Sequence, residues 1–175
     1  MNKKVLSIIG ILFIFIIGFI VHGMYEWLPN FFTMIFFPIS ESVFEHTKMI
    51  FTSYMIWIIV KYYILKKYNL HENNFLFKEL LTTFFNIILF LAVFVPIYRK
   101  YGENIFITLF IYFITIIISQ IFNYFVKFKN DYKYLKILST IVILLTYIIS
   151  TYFAYKPPIN WFFIDSKNNS YGLNK

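Results

Sequence analysis

Two histidines and three glutamates, His22, Glu26, Glu41, Glu45 and His46, stand at the facing ends of the first two apolar stretches of this chain. Imidazole and carboxylate groups in one place can move protons as a general acid and base, hold a cation, or ligate a divalent metal. His22 and Glu26 are four residues apart and so share one helical face. The densest polar run follows: Ser40-Glu41-Ser42-Val43-Phe44-Glu45-His46-Thr47-Lys48. Within it, Ser42 to Glu45 has the spacing of a helix-capping box. Glu41, Glu45 and Lys48 also fall on one helical stripe, which an intrahelical ion pair would explain. These two structural explanations account for Ser42, Glu45 and Lys48 without any chemistry. They leave His22, Glu26 and His46, and uncompensated carboxylates beside hydrocarbon are costly enough to mark a site.

A metal would constrain these residues further. Neighbouring Glu45 and His46 point about 100° apart on a helix of 3.6 residues per turn, so one face cannot present both to one ion. Neither His-Glu-x-x-His nor Glu-x-x-His occurs. An ion would have to draw His22 or Glu26 from one helix and Glu45 or His46 from the next, and the spacing names no particular metal or cofactor. The absence of cysteine excludes thiolate ligands, disulfides and a cysteine nucleophile. Glu45, His46, Glu41 and His22 are the candidate catalytic groups. Glu26, Ser42, Lys48, Asp165 and Tyr171 are the candidate ligand-binding groups; for Asp165 with Tyr171-Gly172, a turn on a solvated tail is the simpler explanation.

These residues must be positioned by elements that live in lipid. Hydrophobic residues make up 60% of the 175, charged residues 14%, and the mean hydropathy is +0.70, so polar surface is too scarce to cover a soluble globule. The fold class is all-α: a bundle of five transmembrane helices in a single domain spanning residues 1–175. The spans fall at about 5–25, 47–65, 80–98, 104–126 and 137–155, each close to the length that crosses about 30 Å of hydrocarbon. Lys61, in the last part of the second span, is expected to snorkel to the interface. Lys156-Pro157-Pro158 ends the fifth span, because proline lacks the amide donor and fixes its φ. Between the first and second spans, residues 29–38 are almost wholly apolar yet too short to cross. They form an interfacial segment held by phenylalanines, or a re-entrant one that needs protein or water for its backbone groups. The polar residues inside the spans, Asn86, Ser119, Gln120, Asn123, Thr146, Ser150 and Thr151, read as packing glue between helices, with no acid at mid-membrane to serve an ion-coupled transporter.

Of the 16 Lys and Arg residues, ten fall on the side of Lys3 and Lys4 and six, counting Lys175, on the other. Basic residues favour the cytoplasm, so the amino terminus is expected inside, with the polar cluster and the tail from 156 to 175 extracytoplasmic. The net charge of +8 collects beside apolar spans, where it sets topology and meets anionic lipid. The expected partners are the bilayer, a lipid headgroup or another membrane protein, and not nucleic acid.

The nonapeptide from Ser40 to Lys48 resembles the Asn-Glu-Ser-Val-Trp-Glu-His-x-Lys signature of a family of small bacterial multi-pass membrane proteins, a domain of unknown function. The resemblance extends to His22 through Trp27 and to the ending Pro157-Pro158, Phe163, Asp165 and Tyr171-Gly172. Ser40 stands in place of Asn, Phe44 in place of Trp, and the tail lacks a proline after Asp165. The resemblance implies that Glu41, Ser42, Glu45, His46, Lys48, Asp165 and Tyr171 are the positions that matter, and it assigns them no activity.

Three functions fit these residues. One is a binding or accessory membrane protein that recognises a polar or cationic headgroup, a peptide or an ion through Glu26, Glu41 and Glu45. Another is a membrane-embedded enzyme for a lipid or lipid-linked substrate, using a Glu/His acid–base pair and a metal if one is held. In the third, a structural subunit, the same residues merely cap and anchor helices.

Overall fold

The computed structural model describes residues 3–102 and 104–173; Lys175, counted in the charge balance, lies outside them. Apolar sequence makes helices here because hydrocarbon leaves backbone groups no partner except each other. Five long helices result: α1 (Lys3–Trp27), α3 (Val43–Lys67), α4 (Phe75–Tyr101), α5 (Ile105–Phe125) and α6 (Lys133–Tyr155). All five are long and apolar enough to cross a membrane. The short α2 (Phe31–Phe36) lies between α1 and α3.

Most of α3 is buried, and it packs against α1 and α4, while α5 closes against α1 and α4. The buried stripe of α1 is Leu6, Gly10, Ile14, Gly18 and Val21, and its other face exposes Ile8, Leu12, Ile16 and Phe19. That division is the one expected of a lipid-facing helix. The two glycines let large rings approach the helix: a Cβ at Gly10 would meet the Trp57 ring at 2.9 Å, and one at Gly18 would meet the Tyr112 hydroxyl at 2.6 Å. Small residues at such crossings are the usual means of close packing in lipid. Tyr112 then donates its hydroxyl to the Ile14 carbonyl at 3.1 Å, and the Tyr54 hydroxyl meets that of Ser119. Not all the buried polar groups serve as glue. Both amide atoms of Asn86, the Gln120 nitrogen and the Trp57 indole nitrogen have no partner among the described residues.

The segment after α1 dips along α3 and returns. Asn30 caps α2 by accepting from the Thr33 amide, and the chain then runs down alongside α3. There the Phe36 carbonyl accepts from Thr52 Oγ1, about 13 Å deeper than Val43 at 1.5 Å per residue. Three α3 side chains satisfy the returning backbone: Thr52 at Phe36, Lys48 Nζ at the Met34 carbonyl (2.6 Å), and Glu45 Oε2 at the Ile39 amide (3.1 Å). Such protein partners are what irregular backbone would require at membrane depth.

Two expectations are corrected. Lys61 does not snorkel, because its ammonium is buried against Glu79 at 2.6 Å and Glu72 at 3.3 Å. The partner was missed because α4 begins at Phe75 rather than near Leu80, which carries Lys78 and Glu79 into the helix.

Candidate functional site

The cluster at the α1–α3 end is assembled from four segments. α1 delivers His22 near its end, the connection after α2 delivers Glu41, the first turn of α3 delivers His46, and the tail delivers Lys167. Ser42 starts α3 by accepting the Glu45 amide at 3.2 Å. The capping box is only half formed, however, because the Glu45 carboxylate turns to the Ile39 amide and to Lys48 at 3.4 Å. Glu41 precedes the first helical residue, Val43, so it does not share the helical stripe of Glu45 and Lys48. That position frees its carboxylate to reach across to α1.

The two oxygens of Glu41 have different partners. Oε2 lies 3.1 Å from His22 Nε2 and 3.8 Å from His46 Nε2, and Oε1 accepts from Lys167 Nζ at 2.6 Å. His46 Nδ1 is 2.9 Å from the Ser42 carbonyl. A carbonyl only accepts, so this nitrogen carries the proton and Nε2 is the atom presented to Glu41. Burial opposes the charge on Glu41, but hydrogen bonds from His22 and Lys167 and the nearby imidazoles outweigh it. The carboxyl drops from its ordinary 4.5 to about 2 and is therefore ionised at any physiological pH. Glu41 in turn raises the pKa of Lys167.

The tail is docked by its backbone. The Phe44 amide donates to the Phe162 carbonyl at 3.0 Å, and the Phe44 ring packs on Phe153, Phe162 and Phe163. Buried Asp165 holds a turn: its Oδ1 accepts from the Lys167 amide and its carbonyl from the Asn169 amide, both at 2.9 Å. The turn aims Lys167 at Glu41. Ile164 and Tyr171 close the loop in an isolated β-bridge, and Arg99 stacks over the Trp161 ring at 4.2 Å.

The structure therefore brings the side chains of His22, Glu41 and His46 together, with the Ser42 carbonyl against His46, and gives the side chains of the other candidates different partners. Glu45, Lys48 and Ser42 hold the returning segment and the start of α3. Glu26 is exposed, 4.0 Å from Lys167. Asp165 and Tyr171 shape the tail, and Asp165 meets the cluster only through the Lys167 amide. Sequence reasoning missed Lys167; the turn residues Asp165, Asn168 and Asn169 around it were the available signal.

A cavity of about 250 Å³ joins this cluster to the apolar interior. His22, Glu41, His46 and Lys167 line one end, and Phe19, Met49, Phe90, Ile105 and Leu109 line the rest. Phe19 and Ile105 are themselves exposed on the bundle's outer face, so the rim of the cavity reaches the surface that faces lipid. The arrangement offers an ionised carboxylate, two imidazoles and an ammonium to a polar group, and an oily wall to whatever is attached to it.

The chain belongs to a family of unknown function, DUF6512, whose model matches residues 1–173. No curated protein and no solved structure matches it.

Proposed function

For a member of this family, we propose a membrane binding protein whose site takes an amphiphilic molecule. Its polar headgroup sits against Glu41, His22 and His46, and its apolar part lies along Phe19, Met49, Phe90 and Leu109. The observation that carries this reading is that one cavity has both a charged end and an oily end. Pockets of this kind use a few convergent polar groups for orientation and apolar area for affinity. Glu45, assigned to recognition by sequence, is left to structural duty because Lys48 already neutralises it. The charge balance of the connections supports an extracytoplasmic site with the amino terminus in the cytoplasm, so the headgroup comes from the outer leaflet.

The test is lipid analysis of protein purified in mild detergent. The wild type carries a headgroup-selected lipid class, and both Leu109→Trp, which fills the apolar end, and Glu41→Gln, which removes the charge, lose it. The same lipid profile in all three proteins overturns the reading.

A second reading is favoured by the 3.1 Å contact of His22 with Glu41, since a carboxylate that orients an imidazole equips it as a general base. On that reading the bound amphiphile is a substrate. Turnover of the co-purifying lipid that stops in His22→Gln while binding persists is the distinguishing result.

A further inference from the structure

We infer that His22, Glu41 and His46 form a binding site for a divalent transition-metal ion, with zinc the best match. The inference places a ligand in the same cavity and rests on the binding-site reading for the cavity's role, while its own evidence is the ligand geometry.

The three residues each offer a ligand atom, and these atoms lie within 4.8 Å of one another. A tetrahedral ion with bonds of 2.0–2.2 Å needs its ligand atoms about 3.3–3.6 Å apart. The contacts of Glu41 Oε2 at 3.1 Å to His22 and 3.8 Å to His46 straddle that spacing. The two imidazole ligand atoms lie within 4.8 Å of each other, so they close by at most about 1.5 Å to reach that spacing. The ligands come from α1, the connection after α2 and α3, so the ion would tie together segments that the sequence leaves far apart.

The outer contacts of the three residues also suit a cation at this point. His46 donates from Nδ1 to the Ser42 carbonyl, the outer contact that fixes tautomer and ring angle in metal-bound histidines. Glu41 Oε2 lies between the two imidazoles, 3.1 Å from His22 Nε2 and 3.8 Å from His46 Nε2. Lys167 occupies the other oxygen of Glu41 and so leaves Oε2 as a single, oriented ligand atom. Two imidazoles with one carboxylate suit zinc, manganese or iron and are a poor set for magnesium or calcium, which prefer oxygen alone. All three residues line the cavity, so the remaining coordination position is completed by water or by a polar oxygen of the amphiphile.

The experiment titrates Zn²⁺ and Co²⁺ into chelator-stripped, monodisperse full-length protein in non-ionic detergent, with helicity followed by circular dichroism. One ion per chain is expected by mass spectrometry after desalting, with Co²⁺ giving the visible bands of a four-coordinate N/O site. His46→Gln and His22→Gln should each weaken Zn²⁺ binding by more than the roughly 10- to 100-fold that loss of an outer-shell partner costs. His71→Gln, at the opposite end of the bundle, should not. His22→Gln keeps a hydrogen bond to Glu41 at a partly exposed position, so it decides the matter if His46→Gln does not fold. A folded wild type that takes up no ion, or uptake unchanged in His22→Gln, overturns the inference. Lipid analysis of the metal-free protein separates the two readings: lipid retained without metal uptake defeats the metal site alone, and metal uptake with an unselective lipid profile defeats amphiphile binding alone.

Discussion

The ammonium of Lys61 on α3 lies 2.6 Å from the carboxylate of Glu79 on α4, and neither side chain reaches solvent. Asn123 on α5 completes the junction, donating to Glu79 Oε1 and to Thr82 Oγ1, both at 2.8 Å, while accepting from Lys61 at 3.2 Å. Three helices are thus tied at the end of the bundle opposite His22. Removing one charge of a buried pair strands the other, a loss of about 3–5 kcal/mol, whereas exchanging both for apolar groups is often neutral. Lys61→Met should therefore lower the thermal midpoint of the detergent-solubilised protein strongly, and Lys61→Met/Glu79→Leu should recover most of the loss. A double variant no better than the single one would show that Asn123 and Glu72, rather than the pair, hold the junction.

Glu72 supplies the pH dependence of that junction. It lies in the α3–α4 connection, 3.3 Å from Lys61 and 3.2 Å from Lys78. Burial opposes its charge, but the two ammoniums outweigh it and hold its carboxyl below the ordinary 4.5. A carboxyl lowered on folding contributes stability that is fully present above its unfolded value and is lost as the pH falls through its folded value. The stability difference between wild type and Glu72→Gln should thus be constant from about pH 6 to 8, above the ordinary carboxyl value of 4.5, and should shrink in acid below that value. Chemical or thermal unfolding across pH checks this; a difference that already fades at pH 6 would contradict it.

Gly172 fixes the tail. Its φ of +61° is a left-handed backbone, and a Cβ there would lie 2.5 Å from the Ala154 carbonyl, the same carbonyl that accepts the Leu173 amide at 3.0 Å. Gly172→Ala combines strain with a backbone clash, a penalty on the order of 1–3 kcal/mol. The tail should come loose while the five long helices persist. Limited proteolysis should then cut near Lys167 in Gly172→Ala and spare the wild type, with helicity unchanged in both.

The architecture was legible because lipid imposes a coarse rule: long apolar runs ending at lysines and prolines become helices, and α6 does stop at Tyr155 before Pro157-Pro158. Helix starts were less legible where charges lie inside the helix. Lys78 and Glu79 read as a boundary, yet α4 runs through them because Lys61 and Asn123 meet Glu79 from neighbouring helices. The site was half legible. His22, Glu41 and His46 stood out as costly polar groups beside hydrocarbon, but which oxygen faces which nitrogen depends on Glu41 lying just outside α3. The Glu45–Lys48 pair and the cluster are equally dense in sequence; the different directions of Glu45 and His46 on α3, and the place of Glu41 before it, separate structural from ligand-facing groups. Lys167 was missed because its role is set by the tail's fold-back: Asp165, Asn168 and Asn169 signal a turn there, but not which side chain the turn aims at Glu41.

The orientation of the whole assembly is open to a direct chemical test. The tail carries Lys167 to Glu41, so the side on which the tail lies is also the side on which the cluster lies. Ten basic residues against six favour the amino terminus inside, and an odd number of spans then sets the tail outside. Asn168 is exposed beside Lys167, and the chain has no cysteine of its own, so Asn168→Cys introduces one unambiguous thiol. A membrane-impermeant maleimide should label it in intact cells to the same extent as after lysis. Labelling only after lysis would invert the topology and bring the amphiphile from the inner leaflet, while the distances within the cluster would stand unchanged.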